Sequence, residues 1–471
     1  MKSWKRTTLL IIALSLFFVV APALVFYATG YRYDFNNKAF RKIGMIIVES
    51  EPKNASISIN DKYRANTPSR IKNLLPGEYS VKVTKDNFNS WGKKLTVESK
   101  KVTWAANIKL FYQNPIANKL TNFQIEDFNL APNSKEAIIF SKQEDKSELY
   151  LINLETKETK KILDTNTQNT LLNIEDSKNI NFSNFKWSPD SKKLILSRDK
   201  KNTSNLLVIN LQETNNSFSF NDFYDLDAEK AEWKNENEIY LLDKSKNLHL
   251  IPLNSQLEPS TLLNNIIDFD YNKNEGLIYL KEENENLKLL SENTTTENPI
   301  MHLAKEEKYK IKSGSKNNIA VLSLNKKKLY LVNKETKKPL TIGENIDNFE
   351  WSSKENKLLY FNKNEVWFYV PEKEESDLNR LAYKYNEANL LTRYSTDIQN
   401  ATWYTNEEYL TVLLSDSIKI IELDGRDKRN CYELKQNLKS NSKKIEFNKN
   451  GEKIYYLNGT NNFTELIITE D

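Results

Sequence analysis

The apolar positions of this chain fall into three regimes. From Thr7 through Leu16 to Ala28 no residue is charged, and Leu, Ile, Val and Phe dominate. That run predicts a helix able to cross a hydrocarbon core of about 30 Å. From 43 to 112 short apolar runs alternate with polar residues and tight turns, which predicts antiparallel strands at Ile43–Glu49, Ala55–Asn60, Ser69–Leu75, Tyr79–Thr84, Leu95–Val97 and Val102–Leu110. From 113 to 471 one longer unit recurs.

That unit is clearest at Phe185–Leu196, FKWSPDSKKLIL: an aromatic-anchored strand, a polar turn and a second apolar strand. Copies follow with anchors Leu130, Trp187, Trp233, Asp270, Ile311, Trp351, Trp403 and Phe447, those at Asp270 and Ile311 being the weakest. Third apolar runs follow at Leu149–Leu154, Leu206–Leu211, Leu248–Leu253, Leu329–Val332, Val366–Val370 and Ile418–Leu423, and fourth strands at Leu340-Thr341 and Leu391-Thr392. A four-strand unit returning about every 40–45 residues predicts a β-propeller, one blade per unit. The last copy stops at its third strand, Leu466–Thr469, whereas Leu120-Thr121 precedes the first anchor without a blade of its own. The segment near 118–122 is therefore expected to complete the last blade and close the ring, leaving no open sheet edge. The expected fold is all-β after one helix, with eight blades, or seven if a weak copy is not a blade.

The Trp-Ser-Pro-Asp core at Trp187–Asp190 resembles the propeller repeats of TolB-like and dipeptidyl-peptidase-like proteins. That family usually ends the turn with Gly, where this chain has Ser191, Asn133 or Asn356; Gly451 alone retains it. Asn tolerates positive φ better than most residues. The row Trp187, Trp233, Trp351, Trp403 and Phe447 reads as blade-to-blade packing in preference to ligand-stacking platforms.

Residues 43–112 resemble the PEGA domain, a small β-sandwich. Its signature is here Pro52-Lys53-Asn54-Ala55, followed by Thr67-Pro68, Pro76-Gly77-Glu78-Tyr79 and the aromatic pair Phe88 and Trp91. Pro76-Gly77 fits a type II turn, and Tyr79, Val81 and Val83 alternate onto one face. The resemblance implies an extracytoplasmic spacer or binding unit of the cell envelope. The domain plan is 1–31 for a cytoplasmic tip and membrane helix, 32–42 for a stalk, 43–112 for the sandwich and 113–471 for the propeller.

Lys2, Lys5 and Arg6 precede the apolar run, which puts the N-terminus in the cytoplasm and both β domains outside. Tyr27, Tyr31 and Tyr33 read as an interfacial belt, and Pro22 as a kink. Cleavage near Ala23, giving a secreted protein, is the alternative. Charge is high but balanced, 68 basic against 64 acidic residues, leaving no footprint for nucleic acid. The lone cysteine, Cys431, excludes an intrachain disulfide.

No catalytic, cofactor or metal site emerges. The two histidines, His249 in a strand and His302 in a loop, lack ligand spacing. Insertions at Leu163–Ser183 and Pro371–Asn389 interrupt the repeat, and the second offers Leu378, Leu381, Tyr383 and Tyr385 as a candidate partner loop. The expected function is a non-catalytic, membrane-anchored envelope scaffold whose propeller binds a protein or a cell-wall polymer. The alternative is a glycan-acting hydrolase or lyase in the propeller channel. Lys186, Glu232, Glu350, Thr402 and Glu446 stand at first-strand positions, and two carboxylates about 5–10 Å apart would serve it.

Overall fold

An uninterrupted helix, α1 (Ser3–Ala28), opens the chain and contains Pro22. Its apolar stretch, Arg6–Ala28, reaches a mean hydropathy of 2.9 and is unburied, touching the rest of the chain only at its last turn. Helical bonding satisfies its backbone internally, the condition for crossing lipid. The computed structural model describes residues 3–470 apart from 36, 144–145, 164–179, 201–202, 254–257, 285, 374–382, 437 and 439–443. Of the insertion at 163–183, residues 164–179 therefore lie outside the described residues, as do Leu378 and Leu381.

Where the sequence suggested a stalk, the chain folds into a hairpin, β1 (Tyr31–Asp34) with β2 (Ala39–Lys42). Its turn has its own chemistry: the Asp34 carboxylate accepts from the Asn37 backbone N–H at 3.2 Å and from the Asn37 amide at 2.7 Å. The four-residue strands are too short for their alternation to register as strand in the sequence. Ile43 N–H then donates to the Gly30 carbonyl at 3.0 Å, tying the hairpin's exit to the end of α1.

Seven strands follow: β3 (Gly44–Glu51), β4 (Ser56–Ile59), β5 (Lys62–Asn66), β6 (Ser69–Leu74), β7 (Gly77–Thr84), β8 (Trp91–Val97) and β9 (Val102–Lys109). They form two sheets, ordered β6-β3-β9 and β5-β4-β7-β8. Two details depart from the sequence reading. β3 and β9, the first and last strands of the module, pair in parallel. β5 has no apolar alternation because it is an exposed edge. The core between the sheets is Ile46, Val48, Ile57, Ile59, Val81, Val83 and Trp91.

Apart from a short helix at Phe220–Tyr224 and a 3-10 turn at Thr214–Asn216, the regular structure in the rest of the described chain is eight four-stranded sheets in sequence order, the blades of a propeller. In the first seven the strands are consecutive and antiparallel, as in 127–163. In the last, strand β10 (Ile116–Lys119) pairs with Phe463–Ile467, so both ends of the ring share one sheet. Leu120 N–H donates to the Phe463 carbonyl and extends that seam.

Strand register corrects two anchors. In blades one, two, three, seven and eight the residue before the anchor faces the third residue of the second strand, as Glu232 faces Tyr240, and in blade six Glu350 faces the second, Leu359. By that rule the anchors of blades four and five are Tyr271 and Ser313, not Asp270 and Ile311. These two repeats have no tryptophan at that position. The Trp351 indole of blade six lies on Gly314 of blade five, where a Cβ would come within 2.5 Å of the ring.

The turns after the first strands also differ from expectation. Positive φ falls on Ser134, Ser191, Glu355, Glu407 and Gly451, so Asn133 and Asn356 do not take it. Side chains there bridge blades, which glycine could not do. Ser191 Oγ accepts from the Asn133 N–H at 3.2 Å, and Glu407 accepts from the Ser353 hydroxyl and from the Lys354 N–H at 2.6 Å. Gly77, at φ 159°, is extended and opens β7, which corrects the type II turn read at Pro76-Gly77.

Candidate functional site

Three regions bring chemistry-bearing residues together: the propeller axis, the seam between the two β domains, and the hairpin beside α1.

The axis is built by the first strand of each blade. Side chains from non-adjacent blades influence one another there: Lys186, Glu232 and Lys312 interact across blades two, three and five, and Glu350 senses Glu446 across blades six and eight. Most charges are matched. Lys186 meets Glu232 at 2.7 Å, Lys230 meets Asp268 at 2.7 Å and Lys312 meets Asp270 at 2.6 Å, each between neighbouring blades. Within blade eight Lys444 meets Glu446 at 2.6 Å, and the same ammonium donates to the Phe128 carbonyl of blade one at 2.7 Å. Glu446 also accepts from the Leu130 N–H at 2.6 Å and from the Asn129 amide at 3.0 Å, joining the last blade to the first. Burial disfavours ionising Glu232, but the ammonium groups of Lys186, Lys312 and Lys230 outweigh it and hold its carboxyl below the ordinary range.

Glu350 is the exception. Its carboxylate accepts only from the Thr402 hydroxyl, at 3.2 Å, among the described residues. Its side chain is accessible to solvent, yet the protein atoms crowded around the carboxyl, reinforced by Glu446 and opposed by Thr402 and Lys310, push its pKa up to about 7. Lys310 is lowered to about 8 by burial and by Lys312, and its ammonium donates to Asn348 Oδ1 at 2.7 Å. Of the three glutamates read at first-strand positions, Glu232 and Glu446 thus sit in ion pairs and Glu350 does not. Asp270, Lys312, Lys230, Lys310 and Lys444 also belong here and escaped the sequence reading. The slipped register of blades four and five hid the first two.

The tryptophan row faces the preceding blade. The indole N–H of Trp187 donates to the Asn129 carbonyl at 3.4 Å, that of Trp233 to Lys186 at 2.9 Å, that of Trp351 to Lys312 at 3.2 Å and that of Trp403 to Glu350 at 3.2 Å. Phe447 lies edge-on to Tyr404, ring centres 5.3 Å apart.

The seam joins β8 and β9 to blade seven. Trp91 Nε1–H donates to Glu422 Oε1 at 2.9 Å, and Lys93 Nζ lies 3.0 Å from Glu422 Oε2. The same ammonium donates to the carbonyls of Asp424 and Lys428 at 2.8 Å and of Arg426 at 3.2 Å. Arg426 Nη1 reaches the Trp104 carbonyl at 2.8 Å, and Phe111 is enclosed by Tyr404, Tyr409 and Tyr432. Beside this contact runs a groove of ≈ 470 Å³ lined by Glu78, Lys94, Glu98, Lys101, Arg426 and Asp427.

The remaining sequence-derived residues have structural surroundings. Asn54 N–H donates to the Thr67 carbonyl at 2.9 Å, and Thr67 Oγ1 accepts from Ala55 N–H at 3.0 Å, pinning the turn that carries Pro52 against Pro68. Tyr79 donates to the Leu75 carbonyl at 2.9 Å, spanning Pro76-Gly77. Tyr383 is buried against Phe368 and Tyr385, which withdraws it from any partner surface. Buried His249 is held by Asp243 at 2.8 Å and Thr261 at 3.1 Å. His302 lies in the exposed strand Met301–Ala304, not in a loop. Among the described residues no group of three or more His, Cys, Asp or Glu is arranged to hold a metal ion.

Residues 43–110 match the profile of the PEGA domain. A comparison with curated proteins by sequence gives no match. Among solved structures the chain is similar to the C-terminal WD40 domain of Sif2, with a TM-score of 0.48, 12% identity and coverage of 76% of this chain and 99% of that one. It is similar to the Dos1 propeller, with a TM-score of 0.48, 11% identity and coverage of 75% and 94%. It also shows similarity to an oligogalacturonate lyase in complex with manganese, with a TM-score of 0.41, 9% identity and coverage of 74% and 99%.

Proposed function

We propose that this protein is a non-catalytic, membrane-anchored scaffold of the bacterial cell envelope. Its short N-terminus lies in the cytoplasm, and its PEGA domain and propeller stand outside as one rigid unit that binds an envelope protein or a wall polymer. The observation that carries this reading is the seam. The apolar helix leads through the hairpin into the PEGA domain, which is locked to blade seven by the buried Lys93–Glu422 pair, so the helix carries the whole body. Basic residues before the helix favour the orientation. The mixed-charge groove beside the seam suits a polar partner.

Cross-linking full-length protein in cells, then separating membrane proteins from wall polymer, tests the binding reading. Enrichment of one or a few membrane proteins, or of polymer, supports a scaffold; recovery of the protein alone contradicts it. Sequencing the N-terminus of the mature protein decides between a retained anchor and cleavage near Ala23.

A glycan-acting enzyme is the second reading, favoured by one observation, a Glu350 carboxyl that titrates near neutrality inside the channel. Hydrolysis or cleavage of envelope glycans that is lost in Glu350→Gln would support it. The pairing of Glu232 and Glu446 with lysines weighs against it.

A further inference from the structure

We infer that the β1–β2 hairpin is a phospholipid-headgroup site that seats the protein on the leaflet from which α1 emerges. The inference rests on the membrane-anchor reading and adds a second contact to it.

Position comes first. Arg6–Ala28 comprises 23 residues. At 1.5 Å per residue it extends about 34 Å, slightly more than a hydrocarbon core of about 30 Å. Phe26 and Tyr27 then fall where the helix leaves the hydrocarbon. The hairpin is folded onto that last turn. The Phe26 ring lies 5.3 Å from Tyr31 and stacks on Phe40 at 5.9 Å. The Arg32 guanidinium lies 3.6 Å over the Tyr27 ring and donates to the Tyr27 carbonyl at 2.9 Å. A hairpin held there sits at headgroup depth.

Its surface fits that depth. Phe35 is 82% exposed, Phe40 63% and Tyr33 40%, an aromatic edge suited to the glycerol level of a bilayer. Residues 31–42 carry Arg32, Lys38, Arg41 and Lys42 against one carboxylate, Asp34. That carboxylate is turned inward, buried and held by Asn37 and by Arg41 at 3.7 Å. Arg32 is engaged by Tyr27, and Lys42 lies half-buried, 4.9 Å over the Tyr31 ring. What faces outward is therefore the aromatic edge with Lys38 and Arg41 exposed and Lys42 at its margin, the combination that binds anionic lipid phosphates.

The test uses full-length protein, Cys431→Ser, in nanodiscs of phosphatidylglycerol or phosphatidylcholine. An environment-sensitive dye is attached at Leu16→Cys, Phe35→Cys or Lys449→Cys, and quenching by neutral acrylamide is measured. The expected result is strong protection at position 16 and at least threefold lower quenching at 35 than at 449 in phosphatidylglycerol. Protection at 35 should be weaker in phosphatidylcholine, and Lys38→Glu with Lys42→Glu should remove the difference between the lipids. Quenching at 35 equal to that at 449, with 16 protected, overturns the hairpin site and leaves the anchor standing. Equal protection at 35 in both lipids overturns anion recognition. An unprotected position 16 overturns the anchor itself.

Discussion

The ammonium of Lys93, on the PEGA domain, lies 3.0 Å from the carboxylate of Glu422, on blade seven, with both side chains almost fully buried. Three backbone carbonyls of the 424–428 loop and the Trp91 indole complete the arrangement. A buried pair with its remaining hydrogen-bonding capacity satisfied adds little net stability against an apolar replacement, but it fixes one docking geometry. The PEGA domain is thereby part of the propeller's body and not a swinging spacer.

Removing one partner strands the other in a dry seam. Lys93→Met or Glu422→Gln is expected to destabilise the docked state by about 3–5 kcal/mol. The double variant should recover much of that loss. Thermal unfolding, with proteolysis around residue 112 as a second readout, checks this; equal stability of the single variants and wild type would contradict it.

Glu350 sets a pH dependence with a definite sign. Its folded pKa of about 7 exceeds the ordinary glutamate value of 4.5, so between these values the folded protein holds a proton that the unfolded chain has released. The resulting stability is present at pH 4.5 and below and is lost as pH rises through 7. Wild type should lose melting temperature relative to Glu350→Gln between pH 5 and pH 8. Parallel pH profiles would contradict the assignment.

Gly314 is a packing prediction. Its missing Cβ makes room for the Trp351 indole, 2.5 Å from where that atom would stand. Gly314→Ala should cost about 1–3 kcal/mol by overpacking. Trp351→Phe should lose about 1 kcal/mol or more with the bond to the Lys312 carbonyl, and should soften the penalty of Gly314→Ala. Additive effects in a double-mutant cycle would contradict the contact.

What the sequence made legible follows from how local each signal is. The apolar helix is one uninterrupted run, and the repeat is marked by Trp187, Trp233, Trp351 and Trp403 at recurring spacing. Where the marker was replaced, by Tyr271 and Ser313, the reading slipped by one and two residues and lost Asp270 and Lys312 from the channel. The seam carried no sequence signal, because Trp91 and Glu422 are 331 residues apart, Trp91 reads as a mark of its own domain and Glu422 as an ordinary strand residue. The hairpin was read as a stalk because its pairing rests on a four-residue alternation and on the side chain of Asp34. The pairing of the channel lysines with carboxylates appears only once the ring brings blades together.

Cys431, the one cysteine of the chain, is exposed on the outermost strand of blade seven and gives the most direct test of the central claim. Intact spheroplasts would be treated with a membrane-impermeant maleimide at pH 8, with lysed cells and a Cys431→Ser variant as controls. The anchored, outward-facing account predicts labelling of Cys431 in intact spheroplasts to the extent seen after lysis. Labelling that appears only after lysis would place the propeller in the cytoplasm and contradict it.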